Sequence, residues 1–255
     1  MISRQQLRHI HGEGLPLHIL ELDYIESIAL KWLFTRNDKV AFKGGTCLKK
    51  VHGLNRYSED LDFAIANKSV GAEDARDAVE IMAAGMERTG IPAYVKEWKE
   101  RKDVFLCKLA YQGPLYNGQE KTRGKIEIEI SRFPPIQELE WNTVTSNYAD
   151  TGTHSIQSLS LSEILAEKFR TLRTRNKPRD LYDIFFILKK GARTNLDVIN
   201  AKLSEVGAEP VDSYADAIEC YTITDEQWNR DLRLLILRVP DLQSIRSEIM
   251  RLLEI

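Results

Sequence analysis

The sequence predicts an α/β domain over residues 1–150 followed by a helical domain over residues 151–255. Three observations carry that prediction. Up to about residue 134, short apolar runs bounded by turn residues alternate with segments of helical spacing. Residues 125–132 alternate strictly, apolar against charged, as a half-buried strand does. From Leu161 onward only helical spacing recurs. The change of character falls between 134 and 160, where Phe133-Pro134-Pro135 breaks the preceding pattern.

The elements follow in order. Residues 15–35 read as a helix, with Leu17, Leu20, Tyr24, Ile28 and Phe34 near one stripe and no breaker after Pro16. Residues 39–43 form a short strand. A helix over 46–51 starts at the Gly44-Gly45 turn. Residues 58–66 form a second strand, with Leu61, Phe63 and Ile65 on one side and Asp60 and Asp62 on the other. A helix over 73–89 ends at Gly90 and Pro92. Residues 94–99 and 104–111 pair as a hairpin. In the strand over 125–132, Ile126, Ile128 and Ile130 face one way and Glu127 and Glu129 the other. Residues 136–158 hold short strand-like pieces. The helical half is punctuated near Asn176–Pro178, Gly191, Gly207–Pro210 and Pro240.

Composition narrows the function. An apolar content of 43% and a charged content of 29% describe an ordinary globular chain. A net charge of −2 excludes a globally polybasic nucleic-acid binder, so any such contact must come from a local patch. Cys47, Cys107 and Cys220 form no C-x-x-C pair and suggest no zinc site; they fit a reducing compartment. The opening MISRQQLRHIHGEG has no apolar signal core, and no apolar run approaches the ~20 residues that span a bilayer. The expectation is a cytoplasmic protein with no membrane partner.

The chemistry concentrates in VAFKGGTCLKKVHGLNRYSEDLDFAI, residues 40–65. Glycine permits close backbone approach, and unpaired N–H groups at a helix start attract phosphate, so Gly44, Gly45 and Thr46 are candidates to hold a nucleotide. Asp60 and Asp62 point to one strand face, where two carboxylates repel unless a cation lies between them. Mg²⁺ binds through one or two carboxylates plus substrate phosphates. The bland alternatives are a plain strand-to-helix turn and two solvated aspartates, each common alone. A third carboxylate is Glu127 or Glu129, with Glu129 favoured, provided that strand pairs beside Asp60–Asp62. The third cluster runs from Glu167 to Asp183. Six basic residues lie between Lys168 and Arg179, Lys168 and Arg175 share roughly one helix face, and Asp180 and Asp183 sit near the next helix start. It reads as a phosphate clamp in which Lys168 neutralises transition-state charge. Asp180 orients Arg179, a catalytic lysine or a hydroxyl.

These residues resemble a known family. Lys43-Gly44-Gly45-Thr46 with Arg56-Tyr57-Ser58-Glu59-Asp60-Leu61-Asp62 resembles the first motif of the AbiEii/AbiGii-type nucleotidyltransferase toxins, which include the related MenT group. Glu167-Lys168, Leu172, Arg175 and Arg179-Asp180-Leu181-Tyr182-Asp183 resemble a later motif, and Ile128-Glu129-Ile130-Ser131 the strand bearing the third carboxylate. The resemblance implies a polymerase-β-like nucleotidyltransferase domain with a mixed sheet, followed by a helical bundle. It implies Mg²⁺ (or Mn²⁺), an NTP, transfer to an acceptor hydroxyl such as a tRNA 3′ end, release of pyrophosphate, and a cognate antitoxin of the kind found in phage-defence systems. It also implies that Asp60, Asp62, Lys168 and Asp180 are active-site residues, with Asp60, Asp62 and Glu129 on metal and Gly44, Gly45, Thr46, Arg175 and Arg179 on the nucleotide. The alternative on the same scaffold is a non-toxic nucleotidyltransferase acting on a protein or small-molecule acceptor.

Overall fold

A computed structural model describes residues 1–11, 14–219 and 222–254. Cys220 lies outside the described residues; Cys47 and Cys107 are free thiols in the core. Two units are distinguished, Met1–Leu159 and Ser160–Ile255.

In the first unit, helices α1 (Arg4–His11) and α2 (Leu17–Arg36) precede strand β1 (Val40–Lys43), helix α3 (Gly44–His52), strand β2 (Asp60–Ile65) and helix α4 (Ala72–Arg88). Then come β3 (Ala93–Glu100), β4 (Val104–Tyr111), β5 (Gly124–Ser131), β6 (Glu140–Thr145) and β7 (Thr153–Ser158). Among the described residues these make one seven-stranded sheet in the order β3-β4-β5-β2-β1-β7-β6. It is mixed: β2 runs parallel to β5 and β1 parallel to β7, while the other neighbours are antiparallel. The alternation in β5 is met as expected, with Ile126, Ile128 and Ile130 buried and Glu127 and Glu129 exposed. Burying one face of a strand specifies its register, because a one-residue slip would turn every isoleucine to solvent. Helices α2 and α4 pack on the buried side, where Phe34 of α2 meets Phe63 of β2.

Helix α2 departs from the single stripe read from its sequence. Residues 19–30 are buried all round, Glu21, Asp23, Glu26 and Ser27 included. The cause is packing on several sides, since α1, α4, β5 and β7 all contact this helix.

The second unit is helical throughout: α5 (Leu161–Arg175), α6 (Pro178–Lys189), α7 (Leu196–Glu205), α8 (Tyr214–Glu219), α9 (Asp225–Leu232) and α10 (Leu242–Leu253). Its helix starts are legible chemistry. Ser160, Asn195, Thr224 and Asp241 each accept a hydrogen bond from the backbone N–H three residues on. Pro178 opens α6, where its missing N–H is harmless. Asn176 ends α5 in the left-handed region at φ 48°.

Candidate active site

The glycine turn and the aspartate strand are neighbours by register. β1 and β2 pair antiparallel with Lys43 opposite Asp62, so the chain enters α3 directly beside that carboxylate. Gly44 has φ +77°, and a Cβ built there would lie 2.1 Å from Asp62 Oδ2. Only glycine fits on both counts. A Cβ on Gly45 would lie 2.5 Å from Nη2 of Arg56, whose side chain is buried under the turn and whose Nη1 donates to the Tyr57 carbonyl at 2.9 Å. No side chain caps the start of α3, which leaves its first N–H groups for another acceptor. Thr46 differs from expectation. Its side chain is buried, and its hydroxyl donates to the Asp60 carbonyl at 2.6 Å. It therefore ties α3 to the first residue of β2 and does not present its proton to a ligand.

The strand that carries Glu127 and Glu129 pairs beside the aspartate strand. β2 and β5 pair parallel, with Asp60 opposite Glu127 and Asp62 opposite Glu129. Cross-strand partners share a face, so all four acidic residues lie on the side away from the isoleucines. Glu127 is engaged by Lys108 and Lys125, each at 3.4 Å. Glu129 sits beside Asp62, next to Gly44. Among the described residues no three acidic, histidine or cysteine side chains are gathered into a ready-made metal cage. The donor set nonetheless suits Mg²⁺, a hard cation that keeps several waters and uses few carboxylates together with substrate phosphates.

In the second unit, Lys168 of α5 is buried and forms ion pairs with Asp180 (3.1 Å) and Asp183 (2.8 Å) of α6. Arg175 closes the group with two hydrogen bonds to Asp180, at 2.8 and 2.9 Å. Burial pushes the Asp180 carboxyl up, but Lys168 and Arg175 outweigh it and hold the group well below the usual carboxylate range. Asp180 thus orients Lys168 and Arg175, and not Arg179. Most of the basic cluster is compensated in place: Arg170 pairs with Glu167 at 2.9 Å and Arg173 with Asp216 at 3.5 Å. Lys177 and Arg179 have no carboxylate partner among the described residues.

A second polar group was not anticipated from the sequence. Asp23 of α2 receives Lys50 Nζ at 2.6 Å and the Tyr148 hydroxyl at 2.6 Å. Burial raises the Asp23 carboxyl, yet the charges of Lys50 and Lys49 bring it below its ordinary value. Glu26, one turn on, is fully buried, and that burial pushes its carboxyl well up. The available signal was three acidic residues, Glu21, Asp23 and Glu26, inside an otherwise apolar helix; such residues are buried only with partners.

A paired-aspartate strand beside an uncapped glycine turn, with a further carboxylate in register, offers donors for a divalent cation and for phosphate in one place. A sequence model described as nucleotidyl transferase AbiEii toxin, type IV toxin–antitoxin system, matches residues 31–249. The chain belongs to this AbiEii nucleotidyltransferase toxin family and is a nucleotidyltransferase. No curated protein matches it. Among solved structures, MenT4, a nucleotidyltransferase toxin from Mycobacterium tuberculosis H37Rv, is similar with a TM-score of 0.74 at 17% identity, over 99% of this chain and 89% of that one. JHP933 from Helicobacter pylori is similar with a TM-score of 0.61 at 20% identity, over 94% of this chain and 92% of that one. At these identities the likeness is one of fold. No described helix is long and apolar enough to cross a membrane.

Proposed function

We propose that the chain transfers a nucleotide from an NTP to an acceptor hydroxyl, a tRNA 3′ end, releasing pyrophosphate. We place this activity in the cytoplasm, where a cognate antitoxin restrains it. The observation that carries the reading is the shared face of Asp60, Asp62 and Glu129, aligned by the β2–β5 register beside Gly44. These three residues are assigned to a divalent cation, Mg²⁺ or Mn²⁺, which when bound would offset the charge of the triphosphate. Gly44 and Gly45 are assigned to the phosphates through backbone N–H groups at the start of α3, with Thr46 positioning Asp60 from behind. Lys168 is assigned the charge that develops on the transferred group. Asp180 keeps Lys168 and Arg175 oriented, and Arg179 supplies positive charge for the nucleotide. Pre-positioned donors and charges of this kind carry most of phosphoryl-transfer catalysis.

The test is incubation of the protein with total tRNA, Mg²⁺ and each labelled NTP in turn. One NTP should label tRNA. Asp60→Ala should abolish labelling and growth inhibition while leaving the thermal unfolding transition in place. Undiminished labelling by Asp60→Ala would refute the assignment of the carboxylates, and label entering only a protein or a small molecule would refute the tRNA acceptor.

A further inference from the structure

Two adjacent lysines on α3 meet different fates. Lys50 reaches Asp23 at 2.6 Å and the Ser27 hydroxyl at 2.8 Å, and its charge is answered. Lys49 is half-buried, and its ammonium has neither a carboxylate partner nor a hydrogen-bond acceptor among the described residues; it rests over the Tyr57 ring, 3.6 Å from the centroid. Burial pushes its pKa down, the mark of a cation stripped of water without a full counter-charge.

Both lysines line one cavity of about 180 Å³, together with Asp23, Tyr57, Tyr148 and His154. It lies among α2, α3 and the β6–β7 hairpin, and Thr145 and Asn147, both exposed, mark its mouth. His154 lines it too, with its Nδ1 buried. At ~30 Å³ per water the volume holds about six waters, or one phosphate group with part of its hydration. Water would hydrate the ammonium but would leave its charge unanswered. Lys49 and Lys50 share the single ionised carboxylate of Asp23, Lys50 in direct contact and Lys49 at longer range, while burial favours the neutral form of Glu26, so the wall carries an excess positive charge at Lys49, and an anion completes it.

We propose that this cavity is a phosphate-binding site centred on Lys49, and that its phosphate comes from the backbone of the acceptor strand. The second clause rests on the transferase reading above. The cavity's position supports it. Tyr57 lies three residues before Asp60 in the chain, and Lys49 is within electrostatic reach of Arg56, the residue packed beneath Gly45. A strand held at Lys49 would be anchored close to the start of β2. The Tyr57 ring holds the ammonium in place, as a cation over an aromatic face is held, so the site is ordered before its ligand arrives.

The test compares wild type, Lys49→Met and Lys49→Arg as full chains without added divalent metal, so that no turnover is involved. Binding of a labelled single-stranded oligoribonucleotide is followed by anisotropy over a salt series, and binding of inorganic phosphate by calorimetry. Lys49→Met should weaken RNA binding by about three- to tenfold and lower the salt slope by about 0.7, the value for one phosphate contact on a single strand. Lys49→Arg should retain both, which separates loss of charge from damage to the fold. Unchanged binding of both probes by Lys49→Met overturns the site. Loss of phosphate binding with unchanged RNA binding overturns the acceptor source and leaves free phosphate as the ligand. Failure of the transferase reading would show separately, as absence of labelling by the wild-type protein.

Discussion

Gly44 and Gly53 offer a matched pair for testing the glycine turn. Both have φ +77°, one at the start of α3 and one just past its end. An alanine in this region costs about 1–2 kcal/mol of backbone strain at either position. A Cβ on Gly53 meets nothing within 4 Å, so Gly53→Ala should lose only that. A Cβ on Gly44 lies 2.1 Å from Asp62 Oδ2, and ordinary contact begins at 3.4 Å, so the oxygen must retreat by 3.4 − 2.1, about 1.3 Å. A new rotamer is not enough, because Asp62 Cβ is itself only 2.9 Å away and is fixed to the strand. β2 has to shift, at a further cost of about 1–3 kcal/mol for overpacking. A displacement of about 1 Å in a catalytic constellation lowers rate by roughly 100-fold. Gly44→Ala should therefore lose about 2–5 kcal/mol in urea unfolding and about two orders of magnitude in nucleotide transfer. Gly53→Ala should lose about 1–2 kcal/mol and keep its transfer rate. Transfer by Gly44→Ala within threefold of wild type, or equal loss of transfer in both variants, would refute the claim that Gly44 holds Asp62 in place.

Thr46→Val removes the hydroxyl that donates to the part-buried Asp60 carbonyl and should destabilise by about 0.5–1.5 kcal/mol; in steady-state kinetics it should lower kcat more than it raises KM for NTP, with Thr46→Ser close to wild type. A KM effect alone would return the hydroxyl to the nucleotide. Asp180 has a folded-state pKa below its unfolded value, so its contribution is complete above about pH 4 and is lost as acid protonates it. The melting temperature of wild type should fall steeply below about pH 4, and that of Asp180→Asn less so; parallel curves would contradict the ion-pair assignment. Glu26 shifts the other way. Above its ordinary carboxylate value the unfolded chain ionises while the buried group stays protonated, so stability is lost as pH rises. Glu26→Gln should gain melting temperature over wild type progressively as pH rises above the ordinary carboxylate value, and a constant offset would show that its carboxyl ionises normally in the fold.

What the sequence made legible was local. The α/β order, the alternation of β5, the helix break at Asn176–Pro178 and the two-residue spacing of Asp60 and Asp62 depend on neighbours a few positions apart, and each was readable. The choice between Glu127 and Glu129 was not, because it depends on a parallel pairing across more than sixty residues of chain. Two further misreadings have one cause. Thr46 was taken to face a phosphate and α2 to expose one side, since a hydroxyl after two glycines and a helix with acidic residues both look solvent-facing when read alone. The fold buries each against a partner that sequence spacing does not reveal: the Asp60 carbonyl for Thr46, and Lys50 with Tyr148 for Asp23. The same blindness applied to charge. Six basic residues between Lys168 and Arg179 suggested a free cationic clamp, yet Lys168, Arg170, Arg173 and Arg175 all hold carboxylates. A count of charges is therefore a poor guide to where a phosphate is welcome. The informative quantity is the charge left over after the fold has paired its own groups, and by that measure Lys49, which drew no attention in the sequence, outranks most of the cluster that did.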